Sequence, residues 1–500
     1  MKQLKKRILS ALIAMSLVIT DSAVTVFAEN EEIKSSINTQ AAGDISMLDQ
    51  EETETYPIEE LTEYRTDNEK RFLMSDKSIK AVVYSEPIHY ENNGEFVDID
   101  TTLKYEEASE SFDVNGYISG NGDFQVKFAK NANSGQLVSL KKGKYKLSWA
   151  NKNKSNTYSL KNVLVQGKGK CDSLIEQSII NSSQSVKYEN ISPNTDLQYV
   201  FSGSGLKENI IVKEKQDDYS YSFELKANNL VLNLKDNQIE ACDKNTNEII
   251  FVIPAPYMYD AKGISSDSVT YSLEQKENKY TFTITADSKW VNAEEREFPI
   301  VIDPQVSTKQ RRQNITSAYI TSGNPNVNHG IETRMTVGKD SASAGKMRGL
   351  IKFDLPSIDK GDMIVDATLS LGQIGVYYYA STTPDAAINA YIVNDSWEKN
   401  NVTWNNQPAL LNNYALDYTS AKKSEASTGV QKDWNITKAV KSWYEGTAVN
   451  NGIMLKSAVE GVSDMAESCI YANYYTEDNI QTSGYPIMTI VYRNNKGLEN

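Results

Sequence analysis

Short runs in which apolar and polar residues alternate fill the chain from about residue 61 to residue 493. Alternation with a period of two, bounded by turn residues such as Asn93 and Gly94, is typical of antiparallel strands that bury one face. The pattern therefore predicts an all-β protein. Representative runs are residues 79–84, 123–128, 219–225 and 280–285 in the first half, and 348–354, 366–371, 387–393 and 486–492 in the second.

One segment of the second half departs from this alternation. Ile436, Val440 and Trp443 recur with a helical spacing. Asn435 is suited to cap the first turn of a helix, and Gly446 is suited to end it. The sequence predicts one short helix laid across the end of a sandwich.

The first residues have the organisation of a secretory signal peptide. A basic stretch precedes an apolar run over residues 8–19, and Ala28 completes a small-residue cleavage site. An uncleaved membrane anchor is the less favoured alternative. Residues 29–60 are rich in Glu, Ser, Thr and Gln and are interpreted as a disordered acidic linker.

Pro304 closes the first β region, because proline cannot donate to a strand ladder. The predicted organisation is a signal peptide at 1–28, the linker at 29–60, a β-rich scaffold domain at 61–304, a second domain at 305–493 and a tail at 494–500. Both domains are predicted to be antiparallel β-sandwiches, the second jelly-roll-like with its short helix.

Charge and cysteine content narrow the function classes. The formal net charge is -14, which disfavours nucleic acid and anionic lipid as partners. No membrane insertion is expected after signal cleavage, because no later apolar run is long enough to span a bilayer. Three cysteines do not make a disulfide framework. Cys171 and Cys242 could pair if their strands are neighbours, and Cys469 is expected to be a buried thiol.

The sequence favours a protein without catalytic residues. Neither His89 nor His329 lies near a nucleophile motif, which a Ser–His or Cys–His mechanism requires. Paired carboxylates for a polysaccharide lyase or hydrolase remain an open but least favoured alternative. No cofactor is predicted. A structural Ca²⁺ is a minor possibility, and its candidate ligands are the strand-end carboxylates Asp98, Asp100, Asp303 and Asp354.

Residues 395–409 place two tryptophans among Asn, Gln and Thr, a composition that needs tertiary contacts to hold it. With the strand motifs around it, this stretch resembles the DNRLRE domain, also classed as carbohydrate-binding module family 96. His329 departs mildly from the family, which usually has an aromatic there. The matching signature residues, for which the resemblance implies structural roles, are Arg348, Phe353, Asp354, Trp397, Trp404, Asn405, Pro408, Trp434 and Trp443.

The first half resembles the amino-terminal region of large wall-associated RHS/YD-repeat proteins. Residues 85–100, 196–209 and 298–304 carry this likeness. In that family the region precedes a YD-repeat shell and a toxin, which implies a downstream shell as a partner. This chain contains no YD repeat, so a fragment and a free-standing version both remain open.

Sugars stack on exposed aromatic rings, so adjacent tyrosines are candidate contacts. The candidates are Tyr377, Tyr378, Tyr379, Tyr474 and Tyr475. Their rings could equally cover sheet faces and touch nothing. The tryptophans are expected in the core, and Arg348 is expected to pair with a carboxylate such as Asp354.

The leading hypothesis is a secreted, non-catalytic cell-envelope protein whose second domain binds a polysaccharide or cell-wall glycan. The runner-up is a structural or delivery segment of a toxin system that binds no sugar.

Overall fold

Antiparallel strands make up most of the chain that the structure, a computed structural model, describes. The described residues are 55–131, 135–152, 162–164, 183–202, 205–261, 265–276, 279–307, 314–330, 332, 334–340, 345–425, 430–461, 468–477 and 486–495. Two short α-helices, α1 (Ser288–Val291) and α2 (Thr437–Tyr444), occur among them. The prediction of an all-β sandwich protein is confirmed.

The first five strands are β1 (Pro57–Glu60), β2 (Glu69–Met74), β3 (Ile79–Tyr84), β4 (His89–Asn92) and β5 (Glu95–Asp98). The next ten are β6 (Lys104–Glu106), β7 (Gly116–Ile118), β8 (Gln125–Ala129), β9 (Val138–Lys142), β10 (Tyr145–Asn151), β11 (Asn162–Leu164), β12 (Ser183–Ser192), β13 (Thr195–Ser202), β14 (Gly205–Val212) and β15 (Ser220–Asn228).

Nine more strands complete the first half: β16 (Leu230–Lys235), β17 (Gln238–Asp243), β18 (Ile249–Ile253), β19 (Tyr257–Tyr259), β20 (Ser265–Ser266), β21 (Val269–Lys276), β22 (Lys279–Ala286), β23 (Ile300–Asp303) and β24 (Gln305–Ser307). The second half contributes β25 (Ile315–Thr321), β26 (Arg334–Lys339), β27 (Lys346–Phe353), β28 (Met363–Tyr378), β29 (Ala386–Ile392), β30 (Asp417–Ala421), β31 (Val430–Asn435), β32 (Ile453–Ser457), β33 (Ile470–Tyr475) and β34 (Ile487–Arg493).

Two sheets of the first half pack into a sandwich. One has the order β21-β22-β15-β10-β9-β8-β7-β6, and the other runs β11-β12-β13-β14-β24-β18-β17-β16. Alternate residues of both sheets meet in one apolar core, which includes Phe128, Trp149, Tyr199, Leu206 and Phe223. The period-two pattern of the sequence is therefore the inner face of this sandwich.

The second half forms its own core around a long sheet path, β1-β2-β3-β34-β28-β33-β26-β27-β32-β29-β30. β25 pairs with β27, and β31 pairs with β28. Helix α2 buries Ala439, Val440 and Trp443 in this core. The helix begins one residue later than predicted, with Ile436 at its N-cap position, and the Asn435 side chain accepts the Thr437 N–H at 3.1 Å from just outside the helix.

The hairpin β2–β3 pairs with strands of the second half, although its residues stand near the start of the chain. β3 pairs antiparallel with β34, from Ile79 opposite Tyr492 to Tyr84 opposite Ile487. Ile79 and Val83 lie in the core of the second half. The sandwich between β3 and β25 is thus an insertion into the second domain. This differs from the predicted organisation, which assigned residues 61–304 to one domain and ended the linker at residue 60.

Polar contacts reinforce this long-range pairing. The buried Arg71 guanidinium pairs with Glu69 at 2.6 Å. It also donates to the Tyr492 hydroxyl at 2.7 Å and to the Ser357 carbonyl at 2.6 Å. The first-half arginine thereby satisfies acceptors of the second half, which favours a defined register for the hairpin.

Several predictions fall on residues that are not described. The signal peptide, most of the linker, the end of the tail and Cys171 lie outside the described residues. Cys242 and Cys469 are both buried, as expected for Cys469. Within the described ranges, no helix has the length and apolar character to cross a bilayer.

A buried carboxyl links the two sheets of the first sandwich. Trp149 of β10 donates its indole N–H to the Tyr199 hydroxyl at 2.9 Å and to Glu208 Oε2 at 3.1 Å. Both acceptors lie on the opposite sheet. Burial raises the pKa of Glu208 to about 7 from its ordinary 4.5, because the core solvates a carboxylate poorly.

The insertion topology predicts that residues 308–493 do not form a stable domain alone, because β34 would present an unpaired edge. Joining residues 57–84 to residues 308–493 through a flexible Gly/Ser linker should restore a soluble monomer with cooperative unfolding. Size-exclusion chromatography and urea unfolding measure both properties. The same fusion carrying Ala81→Asp, which buries a charge, should fail. Equal stability of residues 308–493 with and without the hairpin would disprove the dependence.

Glu208 predicts a pH dependence of stability. The folded state holds the proton between pH 4.5 and about 7 while the unfolded state releases it, so stability falls as pH rises through this window. The shift corresponds to about 3 kcal/mol. Glu208→Gln should remove the slope in urea unfolding measured from pH 4 to pH 8. The exposed control Glu248→Gln should retain it, and a slope unchanged in Glu208→Gln would rule out this origin.

Candidate functional site

The tryptophan-rich stretch, residues 395–409, packs as a structural cover on the second domain. Trp397 is buried and donates its indole N–H to the Asn451 carbonyl at 2.9 Å. Trp397 and Val402 share a small core with Leu350 and Met454. This arrangement explains why a segment so poor in helix or strand formers has a fixed position.

Two other signature tryptophans lie in the large core of the second half, here called the main core. Trp434 is fully buried and donates to the Ile388 carbonyl at 2.9 Å. Trp443 packs in the same core from helix α2, and Phe353 joins it from β27. Their positions agree with the core role expected for these residues.

Arg348 holds the edge of the tryptophan-rich stretch. Its guanidinium lies 4.5 Å from the centroid of the Trp404 ring and donates to Gln407 at 2.6 Å. The same group binds Glu460 through two nitrogens, at 2.6 and 3.0 Å. Such forked pairing fixes both partners more firmly than a single bond.

The expected pairing of Arg348 with Asp354 is wrong. Arg348 lies near the start of β27 and Asp354 directly follows its end, so six positions separate them, which is roughly 20 Å along a strand. Asp354 is exposed at the strand end. Glu460, from a different part of the chain, takes its place.

Further polar contacts fasten the cover to the domain. Asn405 donates to the Asn326 side chain at 2.7 Å, and Pro408 is buried. Glu477 is fully buried and accepts from Lys399 at 2.8 Å, from the Ser317 N–H at 2.8 Å and from the Ser317 hydroxyl.

The five candidate tyrosines divide between core and surface. Tyr474 is 0% exposed, and its ring meets Trp434 edge-on at 5.6 Å. The prediction that Tyr474 contacts sugar is therefore wrong, because the alternation of β33 turns it inward beside Ala472. Tyr475 faces the other way and is partly buried.

Tyr377, Tyr378 and Tyr379, here called the tyrosine patch, are exposed at the end of β28, where Tyr377 and Tyr378 face opposite sides of the strand. Their exposed fractions are 41%, 41% and 62%. Tyr377 stacks on Tyr471 with ring centroids 5.1 Å apart, and the Lys423 ammonium lies 5.9 Å from the Tyr378 ring. Sequence reasoning missed Tyr471 and Lys423, which only strand register and the fold bring to the patch.

The two histidines have ordinary hydrogen-bond partners. His89 Nδ1 lies 2.5 Å from the Thr66 carbonyl oxygen. His329 Nδ1 lies 2.6 Å from Glu332, and its ring stacks on Tyr319 at 4.4 Å. Among the described residues, these contacts position the rings and no serine or cysteine side chain is hydrogen-bonded to them.

The carboxylates named for calcium do not converge. Asp98 forms an ion pair with Lys70 at 2.5 Å. Asp303 forms an ion pair with Lys207 at 2.5 Å in the sandwich of the first half. Asp354 lies on the second domain. Over the described ranges, no group of three His, Cys, Asp or Glu side chains is arranged to hold a metal ion.

Most of the second half matches a known family of protein modules. Residues 308–466 match the family model of carbohydrate-binding module family 96. The matched region contains the cover, Arg348 and the tyrosine patch. The resemblance inferred from the tryptophan motif is thereby confirmed for this part of the chain. Fold and comparison together describe a β-sandwich protein, part of which is similar to carbohydrate-binding module family 96.

Relatives of the chain come from Bacillus and Geobacillus species. The chain is 26% identical over 489 residues to the tRNA nuclease WapA of Bacillus subtilis, covering 91% of this chain and 19% of that protein. A tRNA3(Ser)-specific nuclease WapA of Bacillus spizizenii is 26% identical over 495 residues, with the same coverage. A wall-associated protein of Geobacillus stearothermophilus is 23% identical over 209 residues, covering 40% of this chain and 75% of that protein.

The buried Glu477 makes Lys399 important for stability. Replacing Lys399 by Met removes an ion pair from a buried carboxylate, which should lower the free energy of unfolding by about 3 kcal/mol. Urea unfolding at neutral pH measures the change. Lys399→Met combined with Glu477→Gln should recover much of the loss, and the exposed control Lys438→Met should have little effect. Wild-type stability of Lys399→Met would contradict this role.

Proposed function

We propose that this protein is exported to the bacterial cell envelope and binds a polysaccharide or cell-wall glycan through its second domain. The match of residues 308–466 to carbohydrate-binding module family 96 carries the proposal. The wall-associated relatives support the location. The exposed tyrosine patch supplies aromatic surface of the kind on which sugar rings stack.

The first sandwich serves as a scaffold in this proposal. It is inserted between β3 and β25 of the binding domain, so its fold is tied to that domain at both ends. The alternative is a structural or delivery segment that binds no sugar, placed ahead of a YD-repeat shell in a longer protein. The alignment to only 19% of each WapA nuclease favours keeping this second candidate.

We further propose that the chain does not itself cleave RNA. The nuclease activity is named for the whole relatives, of which this chain spans 19%. A formal net charge of -14 repels a polyanionic substrate. Neither histidine is arranged with a nucleophile.

Binding is tested with the mature chain from residue 29. The chain should sediment with purified Gram-positive cell walls, or bind at least one of xylan, glucomannan, polygalacturonate and solubilised wall polysaccharide in isothermal titration. Replacing Tyr377, Tyr378 and Tyr379 together by Ala should weaken binding, because stacking surface is lost. The first-domain control Tyr105→Ala should bind normally. Absence of binding to walls and to every polysaccharide favours the delivery segment and ends the carbohydrate proposal.

The non-catalytic proposal predicts no product when the mature chain is incubated with total tRNA, or with each polysaccharide of the panel. Denaturing gels and reducing-end assays provide the readouts, with a commercial ribonuclease and a xylanase as positive controls. Turnover that rises with protein concentration and is absent from a mock purification would overturn the proposal.

A further inference from the structure

We infer that the polysaccharide has a second binding subsite on the second domain, formed by Arg348, Lys456, Asn389 and Tyr418. The polysaccharide chain lies across strands β27, β32, β29 and β30. These four side chains are called the cross-strand row. The inference rests on the proposed function and assigns it residues outside the tyrosine patch.

Strand register places the row on one face. Asn389 pairs with Lys456 on β32 and with Tyr418 on β30. Gly349 pairs with Leu455, so Arg348 takes the next position beside Lys456. Directly paired residues of antiparallel strands point to the same side of a sheet. With strands about 4.8 Å apart, the row extends roughly 14 Å.

The row points outward from the domain. Its neighbours along the strands, Ala390 and Leu455, lie in the main core. Because successive residues of a strand face opposite sides, the row occupies the outer face. Tyr418 is 63% exposed, and the Lys456 side chain is 31% exposed.

One end of the row is rigid. Arg348 is held by Glu460 and Gln407 and stacks on Trp404, as described above. Glu460 also lies 3.7 Å from Lys456, so it spans two members of the row. Side chains that are fixed before binding lose less conformational freedom when a ligand arrives.

The chemistry of the row suits a pyranose chain. The open Tyr418 ring offers a stacking surface, while the Asn389 amide and the Lys456 ammonium can hydrogen-bond hydroxyl or carboxylate oxygens. A stable protein partner usually buries roughly 800 Å² on each side, a much larger surface than this row. Here a single exposed ring is followed by polar groups, which matches the apolar face and polar edges of a sugar.

The row adjoins the tyrosine patch. Ala387 and Ser420 form the next outward pair beyond Asn389 and Tyr418. Lys423 follows β30 and covers the Tyr378 ring. Lys423 therefore links the β30 end of the row to Tyr378 of the patch.

The test measures affinities of the mature chain for the same four polysaccharides by isothermal titration. For each polysaccharide that the wild type binds, Tyr418→Ala should weaken binding roughly tenfold, and Asn389→Ala about threefold. Lys456→Met should weaken binding to polygalacturonate more than binding to xylan, and this difference should be largest at low salt. Tyr105→Ala serves as the exposed-tyrosine control, and circular dichroism with thermal melts confirms that each variant is folded.

The outcomes separate the row from the proposed function. If folded Tyr418→Ala and Asn389→Ala both bind with wild-type affinity while the wild type binds a polysaccharide, the row is wrong and carbohydrate binding stands. If only the tyrosine-patch variant loses affinity, the ligand sits on the patch alone, and the row is again wrong. If the wild type binds neither the four polysaccharides nor the cell walls, both the row and the proposed function are wrong.

Discussion

The pairing of β3 with β34 is the constraint on which the second domain depends. It joins residues more than 400 positions apart in sequence, from Ile79 opposite Tyr492 to Tyr84 opposite Ile487. The entropy of closing such a loop grows only slowly with its length, so the inserted sandwich adds little to the cost. Burial of Ile79 and Val83, with the hydrogen bonds of Arg71, favours the closed arrangement. The boundary of the second domain in sequence is therefore not its boundary in space.

This pairing also shows the limit of what the sequence predicts. The alternating runs identified most strands, and the helical spacing of Ile436, Val440 and Trp443 located α2, because both signals are local. Which strands become neighbours is set by packing between distant segments, and no local pattern carries it. The same limit explains why Arg348 was assigned to nearby Asp354, while its partner, Glu460, comes from another part of the chain.

The burial of the candidate tyrosines likewise depends on strand pairing that local sequence does not reveal. Alternation predicts that neighbouring residues of a strand face opposite sides, but the register decides which side is the core. On β33 it turns Tyr474 inward and leaves Tyr475 facing outward, so one of the two predicted contacts was wrong. Tyr418 was not singled out because it has no aromatic neighbour in sequence. Its importance comes from Asn389 beside it on β29.

The polar anchors of the tryptophan-rich cover connect stability to the proposed binding surface. Glu477 and Lys399 fix the cover to the domain, and Arg348 joins the cover to the cross-strand row through Trp404. The row points away from the core that the β2–β3 hairpin completes, since residues alternating with the row share that core with Ile79 and Val83. Completing the fold therefore uses the inward faces of these strands, and the proposed row uses outward faces. A ligand on the row need not disturb the long-range pairing that holds the domain together.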